Sequence, residues 1–522
     1  MTYKLTYSTM FDPPPEMHTR FEAALVEVRA GLGQMHSLHI AGEDIDTGAF
    51  KDKRSPIDRD WLLGSFAQAN GEHVDQAMRA ASNAFPRWRA TAPQERIRLL
   101  RRVAQIIEER VYHIAAAVTL EVGKNRMEAL GEVQETADFF NVYCDSFEAQ
   151  GGFDHVLPND PLTNVVSRNR SVMKPYGVWV VINPFNFPFA LAGGPVAAAL
   201  VTGNTVVLKG ASETPWAGRL LADCLRDAGL PPGVFNYLMG PGAAIGEALV
   251  NHPQTSGITF TGSYETGMGI VRKLAAGRYP KPCIAEMGGK NACVVTANAD
   301  LETAAAGIVR SAFGMGGQKC SALSRLYVEG SVADALIQKL LQRIQAIGVG
   351  DPTRRENWLG PVVSESAHRK FSGYVDRLRN GGAKIIYGGD ALSGDLARGY
   401  YTQPTLAEAA PEHPLWREEM FLPILMLHRV KDLDAGISHA NDSNLGLTAG
   451  VYGSREEVTQ FLDRIEAGVT YSNRAAGATT GAWPGYQPFG GWKGSGNTGK
   501  AIASFYYLAQ YLREQSQTVV ES

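Results

Sequence analysis

Cys320 is the residue whose surroundings best suit covalent chemistry. It follows a glycine-rich bend within Ser311–Ser324 (SAFGMGGQKCSALS). A thiol attacks well only as thiolate, and its free pKa of about 8.5 falls beside a cation, here Lys319, or at a helix N-terminus. An arbitrary cysteine is more often a small buried core residue. That interpretation fits the other cysteines, which are Cys144, Cys224, Cys283 and Cys293.

Attack of a thiolate on a carbonyl group needs hydrogen-bond donors for the developing oxyanion and a base to move a proton. Seven short segments, the cysteine segment among them, stand out along the chain. In chain order the segments are Asn183–Pro188 (NPFNFP), Lys209–Pro215, Phe260–Ser263 (FTGS), Glu286–Lys290 (EMGGK), Gly317–Ser321 (GQKCS), Glu418–Pro423 (EEMFLP) and Gln487–Gly491 (QPFGG). With this ordered set, the chain from about Arg54 onward resembles the aldehyde dehydrogenase superfamily.

The resemblance implies a catalytic set of three residues. Cys320 would be the nucleophile, and Glu286 would be the general base for hydrolysis of the thioester. The side-chain amide of Asn186 and the backbone N–H of Cys320 would stabilise the oxyanion of the thiohemiacetal. Taken alone, an Asn in this setting is usually a turn residue, and a Glu before Met-Gly-Gly is usually a solvated strand end.

The resemblance also implies NAD as the cofactor, with NADP tolerated. Ser212 stands where many relatives have a Glu that binds the ribose hydroxyls, and a Ser neither clamps the ribose nor repels a 2′-phosphate. Gly240–Gly246 (GPGAAIG) is one residue longer than the dinucleotide fingerprint and is an alternative phosphate loop. Leu422 replaces the usual Gly, which leaves the local loop shape open. The implied cofactor-binding residues are Asn183, Pro184, Phe185, Lys209, Ser212, Gly262, Ser263, Gly267, Glu419 and Phe421.

Within the superfamily, GGQKCSALSRLYV looks like the glutamate γ-semialdehyde (1-pyrroline-5-carboxylate) dehydrogenases. The resemblance implies that Ser321 and the backbone of Gly481-Ala482 bind the substrate α-carboxylate, while Phe489 walls its aliphatic part. A longer loop, NRAAGATT, leaves a rival register with Gly477-Ala478 at the carboxylate. The implied substrate-binding residues are Glu135, Lys319, Ser321, Gly481, Ala482 and Phe489.

Three other functions compete with this interpretation. A succinate-semialdehyde dehydrogenase would bind the far carboxylate with an arginine, and Arg474 is the candidate. A CoA-acylating enzyme would need no hydrolytic base, so Glu286 argues against it. A non-catalytic protein on the same fold is disfavoured because the nucleophile, the amide and the carboxylate are all kept.

Strands alternating with helices from Gly177 onward predict parallel sheets with crossover helices. We therefore expect an α/β fold, which the resemblance implies to be of the aldehyde dehydrogenase type. It would combine a Rossmann-type cofactor domain, an α/β catalytic domain and a small β oligomerisation extension. The predicted limits are 1–150 and 172–283 for cofactor binding, 284–480 for catalysis, and 151–171 with 492–522 for oligomerisation.

Composition narrows the partners further. The 522-residue chain carries 50 basic and 53 acidic residues, which gives no reason to expect a nucleic-acid partner. Its five cysteines form no CxxC pair, so we expect neither disulfides nor a metal site. The N-terminus lacks the apolar core of a signal peptide, and no apolar run is of membrane-spanning length. The sequence therefore predicts a cytoplasmic protein without a membrane partner, and the resemblance implies a homo-oligomer, a dimer or larger, that acts on a small aldehyde.

Overall fold

The computed structural model describes residues 3–161, 163–475 and 482–521. The α-helices in this part of the chain are α1 (Pro15–Ala30), α2 (Gly71–Ala90), α3 (Pro93–Glu109), α4 (Val111–Val122), α5 (Arg126–Ala149), α6 (Ala190–Val201), α7 (Pro215–Asp227), α8 (Glu247–Asn251), α9 (Tyr264–Ala275), α10 (Leu301–Phe313), α11 (Gly330–Gln345), α12 (Glu365–Asn380), α13 (Leu433–Asn441) and α14 (Arg455–Arg464). The strands are β1 (Gln34–His36), β2 (Leu38–Ile40), β3 (Glu43–Ile45), β4 (Phe50–Arg54), β5 (Leu62–Ala67), β6 (Asp154–Leu157), β7 (Val166–Pro175), β8 (Val178–Ile182), β9 (Thr205–Lys209), β10 (Phe235–Leu238), β11 (Thr255–Thr261), β12 (Cys283–Glu286), β13 (Asn291–Val295), β14 (Leu323–Glu329), β15 (Lys384–Tyr387), β16 (Thr405–Glu408), β17 (Ile424–Val430), β18 (Leu445–Gly446), β19 (Thr448–Tyr452), β20 (Val469–Ser472), β21 (Trp492–Lys493) and β22 (Leu512–Glu521).

The first large sheet has seven strands in the order β12-β11-β8-β9-β10-β2-β3. The strands from β12 to β10 pair in parallel, and β2 and β3 extend the edge in antiparallel fashion. Strands β8 and β9 are almost wholly buried runs of Val, Ile and Leu, as expected where helices cover both faces of a parallel sheet. The carboxyl ends of these strands form one edge, where ligands of such sheets bind.

The second large sheet has the order β15-β16-β17-β14-β13-β19-β20, and every pair except β15–β16 is parallel. Because β12 ends at Glu286 and β13 begins at Asn291, the chain passes from one sheet to the other within residues 287–290. The predicted limit between the cofactor and catalytic domains, at residue 283, falls at the start of β12, which is a strand of the first sheet. The division into three domains remains a prediction.

A third, antiparallel sheet joins β6, β7 and the C-terminal strand β22. The pairing of β22 with β7 runs over ten residues, from Leu512 to Glu521. Apolar side chains on this sheet are exposed, among them Val156 at 83% and Val519 and Val520 at 58% each. In the described part of the chain, no helix is both long and apolar enough to cross a membrane.

Candidate active site

A tight bend between α10 and β14 presents Cys320. Met315, Gly316 and Gly317 are in succession left-handed, with φ of 53°, 63° and 67°. A Cβ on Gly317 would overlap the carbonyl oxygen of Leu422, so only glycine fits this close approach. Beyond the bend, the Asn291 side-chain amide donates to the carbonyl oxygen of Cys320 at 2.6 Å and to that of Ala322 at 2.8 Å. The backbone around Cys320 is thus held from both sides.

Cys320 lies where two cavities meet. One is a cleft of about 960 Å³ at the carboxyl edge of the first sheet, and the other is a small cavity of about 80 Å³. Cys320 lines both cavities. A thiol placed in this way can contact a ligand that enters from either side.

The expectation that Lys319 or a helix N-terminus lowers the pKa of Cys320 is wrong. The Nζ of Lys319 is paired with Glu128 Oε1 at 2.7 Å, and the chain after Cys320 continues into a strand. Burial, together with the charges of Glu419 and Glu286, raises the pKa of the Cys320 thiol to about 12. The resting thiol is therefore protonated, and a base has to remove its proton before attack.

Asn186 ties the NPFNFP segment to the nucleophile loop. Its Nδ2 donates to the carbonyl oxygen of Gln318 at 3.0 Å, which leaves the second amide hydrogen for another acceptor. The backbone carbonyl oxygen of Asn186 accepts a hydrogen bond from Lys124 Nζ at 2.7 Å. Lys124 forms a fully buried ion pair with Glu132 at 2.5 Å, and Glu132 Oε1 accepts the backbone N–H of Phe189 at 2.8 Å. Asn186 is therefore fixed by a buried charge network.

Glu286 ends β12 and is only 6% exposed. Burial raises its pKa to about 8, while a hydrogen bond from the Gly491 N–H acts in the opposite direction. Its Oε2 has no hydrogen-bond partner among the described residues. Glu286 lines neither cavity, but its carboxylate lies close enough to Cys320 to raise the pKa of that thiol. A buried carboxyl with a pKa near neutrality suits proton transfer.

The large cleft collects nearly all of the predicted cofactor-binding residues. Those that line it are Asn183, Pro184, Phe185, Lys209, Ser212, Gly262, Ser263, Glu419 and Phe421, together with Asn186. Gly267 does not line it, because it lies in α9 where a Cβ would meet the Met287 Sδ at 2.6 Å, so its role here is close packing. The alternative phosphate loop Gly240–Gly246 contributes no lining residue either.

The cleft has the polar character that a dinucleotide needs. Ser263 caps α9, so the N-terminus of that helix opens into the cleft as an anion-binding group. Burial lowers the pKa of Lys209, which ends β9, to about 8. Asn183 Oδ1 and Thr261 Oγ1 are buried without a hydrogen-bond partner among the described residues, and both residues line the cleft. Such orphaned atoms fit an incoming polar ligand.

Glu419 and Phe421 lie on the wall of the cleft that the second sheet supplies. The Gly289 N–H donates to Glu419 Oε1 at 2.9 Å, and burial raises the pKa of Glu419 to about 7. Phe421 is left-handed, with φ of 57°, and its ring meets Phe185 edge-on at 5.8 Å. Leu422, the departure noted in the sequence, is buried rather than exposed to the cleft.

The small cavity collects the described residues of the predicted substrate set, which are Glu135, Lys319, Ser321, Ala482 and Phe489. Gly481 and the alternative pair Gly477-Ala478 lie outside the described residues. Most of the remaining lining is apolar, which suits the carbon chain of a small aldehyde. The other lining residues, besides Cys320, are Tyr7, Phe139, Phe187, Leu191, Trp483, Pro484, Gln487, Ile502 and Ala503.

Helix α5 directs three carboxyl groups toward this region, spaced so that they share one face. Glu128 pairs with Lys319, and Glu132 pairs with Lys124. Glu135 accepts from the Tyr7 hydroxyl at 2.6 Å, and burial raises its pKa to about 8.

Sequence reasoning missed Tyr7 and Asn291. Tyr7 lies 128 residues before its partner Glu135, so only the folded chain brings them together. Asn291 follows the EMGGK motif directly, and a polar residue opening an otherwise apolar buried strand was a signal that could have been used.

Arg474, the residue that would favour succinate semialdehyde, does not line the small cavity. Its Nη2 donates to the Ser8 hydroxyl at 2.5 Å. No arginine is found among the described residues that line that cavity.

The sequence pattern of the aldehyde dehydrogenase family matches residues 46–516 of this chain. The chain therefore belongs to the aldehyde dehydrogenase family, and the predicted membership and fold class are confirmed.

Among its relatives are enzymes that carry one common name. The chain is 38% identical over 512 residues to the 1-pyrroline-5-carboxylate dehydrogenase of Geobacillus sp. (strain WCH70), with 96% of each chain covered. It is 39% identical over 508 residues to 1-pyrroline-5-carboxylate dehydrogenase 1 of Halalkalibacterium halodurans, again with 96% of each covered. The crystal structure of a Thermus 1-pyrroline-5-carboxylate dehydrogenase with bound NAD superposes with a TM-score of 0.91 at 34% identity over 100% of both chains.

Proposed function

We propose that this protein oxidises L-glutamate γ-semialdehyde to L-glutamate with NAD as the hydride acceptor. The single observation that carries the proposal is the position of Cys320, which lines both a cleft suited to a dinucleotide and a small cavity suited to a short aldehyde. The common name of the relatives supports the choice of substrate.

The proposed reaction begins when Glu286 takes the proton of Cys320, directly or through a water molecule, and the sulfur attacks the aldehyde carbon. The second amide hydrogen of Asn186 and the backbone N–H of Cys320 stabilise the oxyanion that results. A nicotinamide cofactor held by the residues of the large cleft would supply the acceptor for the hydride that the thiohemiacetal carbon loses. Glu286 then releases the proton of Cys320 to solvent, takes a proton from the water that attacks the thioester, and returns it to the departing sulfur, so that the carboxylic acid is released and the thiol is restored. The acid loses its own proton to solvent and leaves as the carboxylate.

The small cavity supports glutamate semialdehyde over succinate semialdehyde. A substrate with a far carboxylate and no amino group is expected to meet an arginine, whereas the described lining residues offer none. They offer Glu135, a hydrogen-bond acceptor when ionised, and Ser321, a hydroxyl donor beside the nucleophile. We propose that Ser321 meets the α-carboxylate and that Phe489 packs on the aliphatic carbons.

The test is a panel of kcat/KM values for L-glutamate γ-semialdehyde, succinate semialdehyde and propanal, with NAD and with NADP. We expect glutamate semialdehyde to be oxidised at least about tenfold more efficiently than the others, since a buried polar pair costs 1–3 kcal/mol when unmatched. Cys320→Ala should abolish turnover, and Cys224→Ala is the matched control because that thiol is buried elsewhere. Equal efficiency for propanal, or full turnover by Cys320→Ala, would overturn the proposal.

We also propose that the protein assembles into a homo-oligomer through the sheet of β6, β7 and β22. Its exposed valines form an apolar surface that a second copy would cover. Sedimentation of the full chain and of a Val519→Asp/Val520→Asp variant would test this, and an unchanged mass for the variant would contradict it.

A further inference from the structure

Tyr7 belongs to a short segment that precedes α1 and is anchored to both halves of the molecule. Lys4 Nζ lies 3.2 Å from the carboxylate of Asp138 on α5. The guanidinium of Arg310, on α10, lies 3.9 Å from the ring centre of Phe11. These anchors on either side of Tyr7 fix the segment over the small cavity, to which Tyr7 contributes its side chain.

The ring and the hydroxyl of Tyr7 have separate contacts. The ring meets Trp483 edge-on at 5.1 Å and Phe187 at 6.3 Å, so its position is set by packing. The hydroxyl donates to Glu135 Oε2 at 2.6 Å. The other carboxyl oxygen of Glu135 has no hydrogen-bond partner among the described residues, and Glu135 lines the cavity.

The charges around Glu135 decide what this oxygen can bind. Burial is the main cause of the raised pKa of Glu135; the charges of Glu132 and Asp138, on the same helix, act in the same direction, and Lys124 acts against them. Lys124 is already paired with Glu132, so no cation in direct contact neutralises Glu135 within the described part of the protein. A cationic ligand group would favour the ionised form of Glu135 and donate a hydrogen bond to it, and the hydroxyl of Tyr7 would stabilise the carboxylate so formed.

We infer that Tyr7 is a specificity-determining positioning residue: its hydroxyl holds Glu135 so that one carboxyl oxygen faces the small cavity and accepts a hydrogen bond from an ammonium group on the aldehyde. This inference rests on the proposed function, because L-glutamate γ-semialdehyde carries such a group. It adds a selection for the amino group that neither Ser321 nor Phe489 provides.

The test compares L-glutamate γ-semialdehyde with glutarate semialdehyde, which has the same length and carboxylate but no amino group. We expect Tyr7→Phe to raise KM for the amino substrate about tenfold with kcat within about twofold, because a hydrogen bond to a charged group is lost from ground state and transition state alike. Both parameters for glutarate semialdehyde should stay within about twofold. Tyr3→Phe is the matched control, since it removes a hydroxyl from the same segment that bonds only the backbone of Thr9.

Glu135→Gln gives a second measurement that does not depend on Tyr7→Phe folding. Glu135→Gln should lose the same preference for the amino substrate. The double variant should lose no more than Glu135→Gln alone, because both changes remove the same interaction with the ammonium group. An equal loss for both substrates in Tyr7→Phe, or additive losses in the double variant, would overturn the inference. Equal kcat/KM for the two substrates in the wild type would also overturn it. Failure of the proposed function would appear separately, as a wild type that does not turn over glutamate semialdehyde efficiently.

Discussion

The raised pKa of Glu286 makes the rate of this enzyme depend on pH in a direction that can be worked out. Glu286, the base that we propose, can take a proton only when it is ionised, and burial raises its pKa to about 8. A carboxyl group whose pKa is raised is protonated at low pH and cannot accept a proton; it becomes a base as the pH rises through that pKa. We therefore expect kcat to increase between pH 6 and pH 9 and then to level off.

The size of the increase follows from the ionised fraction. With a pKa of about 8, the carboxylate is about 1% ionised at pH 6, about 10% at pH 7 and about half ionised at pH 8. The hydrolytic rate should therefore rise about 50-fold from pH 6 to pH 8. The thiol of Cys320, with a pKa of about 12, adds no ionisation of its own over this range.

The assay is stopped-flow measurement of NADH absorbance, in which the burst reports hydride transfer and the later steady rate reports hydrolysis. Glu286→Gln keeps the shape of the side chain and removes the base, so its steady rate should fall about 10²–10⁴-fold and lose its pH dependence. Glu302→Gln, at an exposed position on α10, is the control. A wild-type steady rate that is flat from pH 6 to pH 8, or a Glu286→Gln variant that keeps the slope, would refute the reasoning.

Three further outcomes are expected. Asn186→Ala should lower kcat about 10²–10³-fold, and thermal denaturation will show whether the chain still folds as the wild type does. Lys124→Met should lower the free energy of unfolding by about 3–5 kcal/mol, because it leaves the carboxylate of Glu132 buried without its ion-pair partner. Chemical denaturation measures this loss, and the double variant with Glu132→Leu should recover most of it. A double variant that recovers nothing would show that the pair does not act as a unit. Wild-type kcat/KM with NADP should lie within about 100-fold of kcat/KM with NAD. Ser212→Glu should increase the ratio of the NAD value to the NADP value by about tenfold or more, since it places a negative charge near the 2′-phosphate of NADP. A strict preference of the wild type for NAD would contradict this prediction.

The regular parts of the fold could be predicted from local pattern. The apolar runs GVWVVI and TVVL appear as the buried parallel strands β8 and β9, because such runs fit strands covered on both faces. The C-terminal tail could not be assigned, because its first part forms a short 3₁₀ turn, Leu508–Tyr511, before β22 begins. β22 pairs with a strand more than 300 residues earlier, and no local signal encodes that pairing.

The candidate site divides in the same way. Asn186 and Cys320 lie in compact motifs that are visible in the sequence, and the structure brings the two together on one cleft. The pKa of the nucleophile could not be predicted, because Lys319 is adjacent in sequence but bonded to Glu128 in space. The position of Tyr7 could not be predicted either. Tyr7 lines the small cavity only because the first residues of the chain pack across it in the folded protein.

The row of carboxyl groups on α5 has a practical consequence for redesigning this enzyme. Glu128 supports the nucleophile loop through Lys319, Glu132 supports the amide segment through Lys124, and only Glu135 lines the space into which an aldehyde enters. Successive turns of helix α5 therefore support the Cys320 loop, support the Asn186 segment and line the substrate cavity, in that order. Libraries that vary the final turn of this row can explore new aldehydes while the two earlier turns keep the chemistry intact.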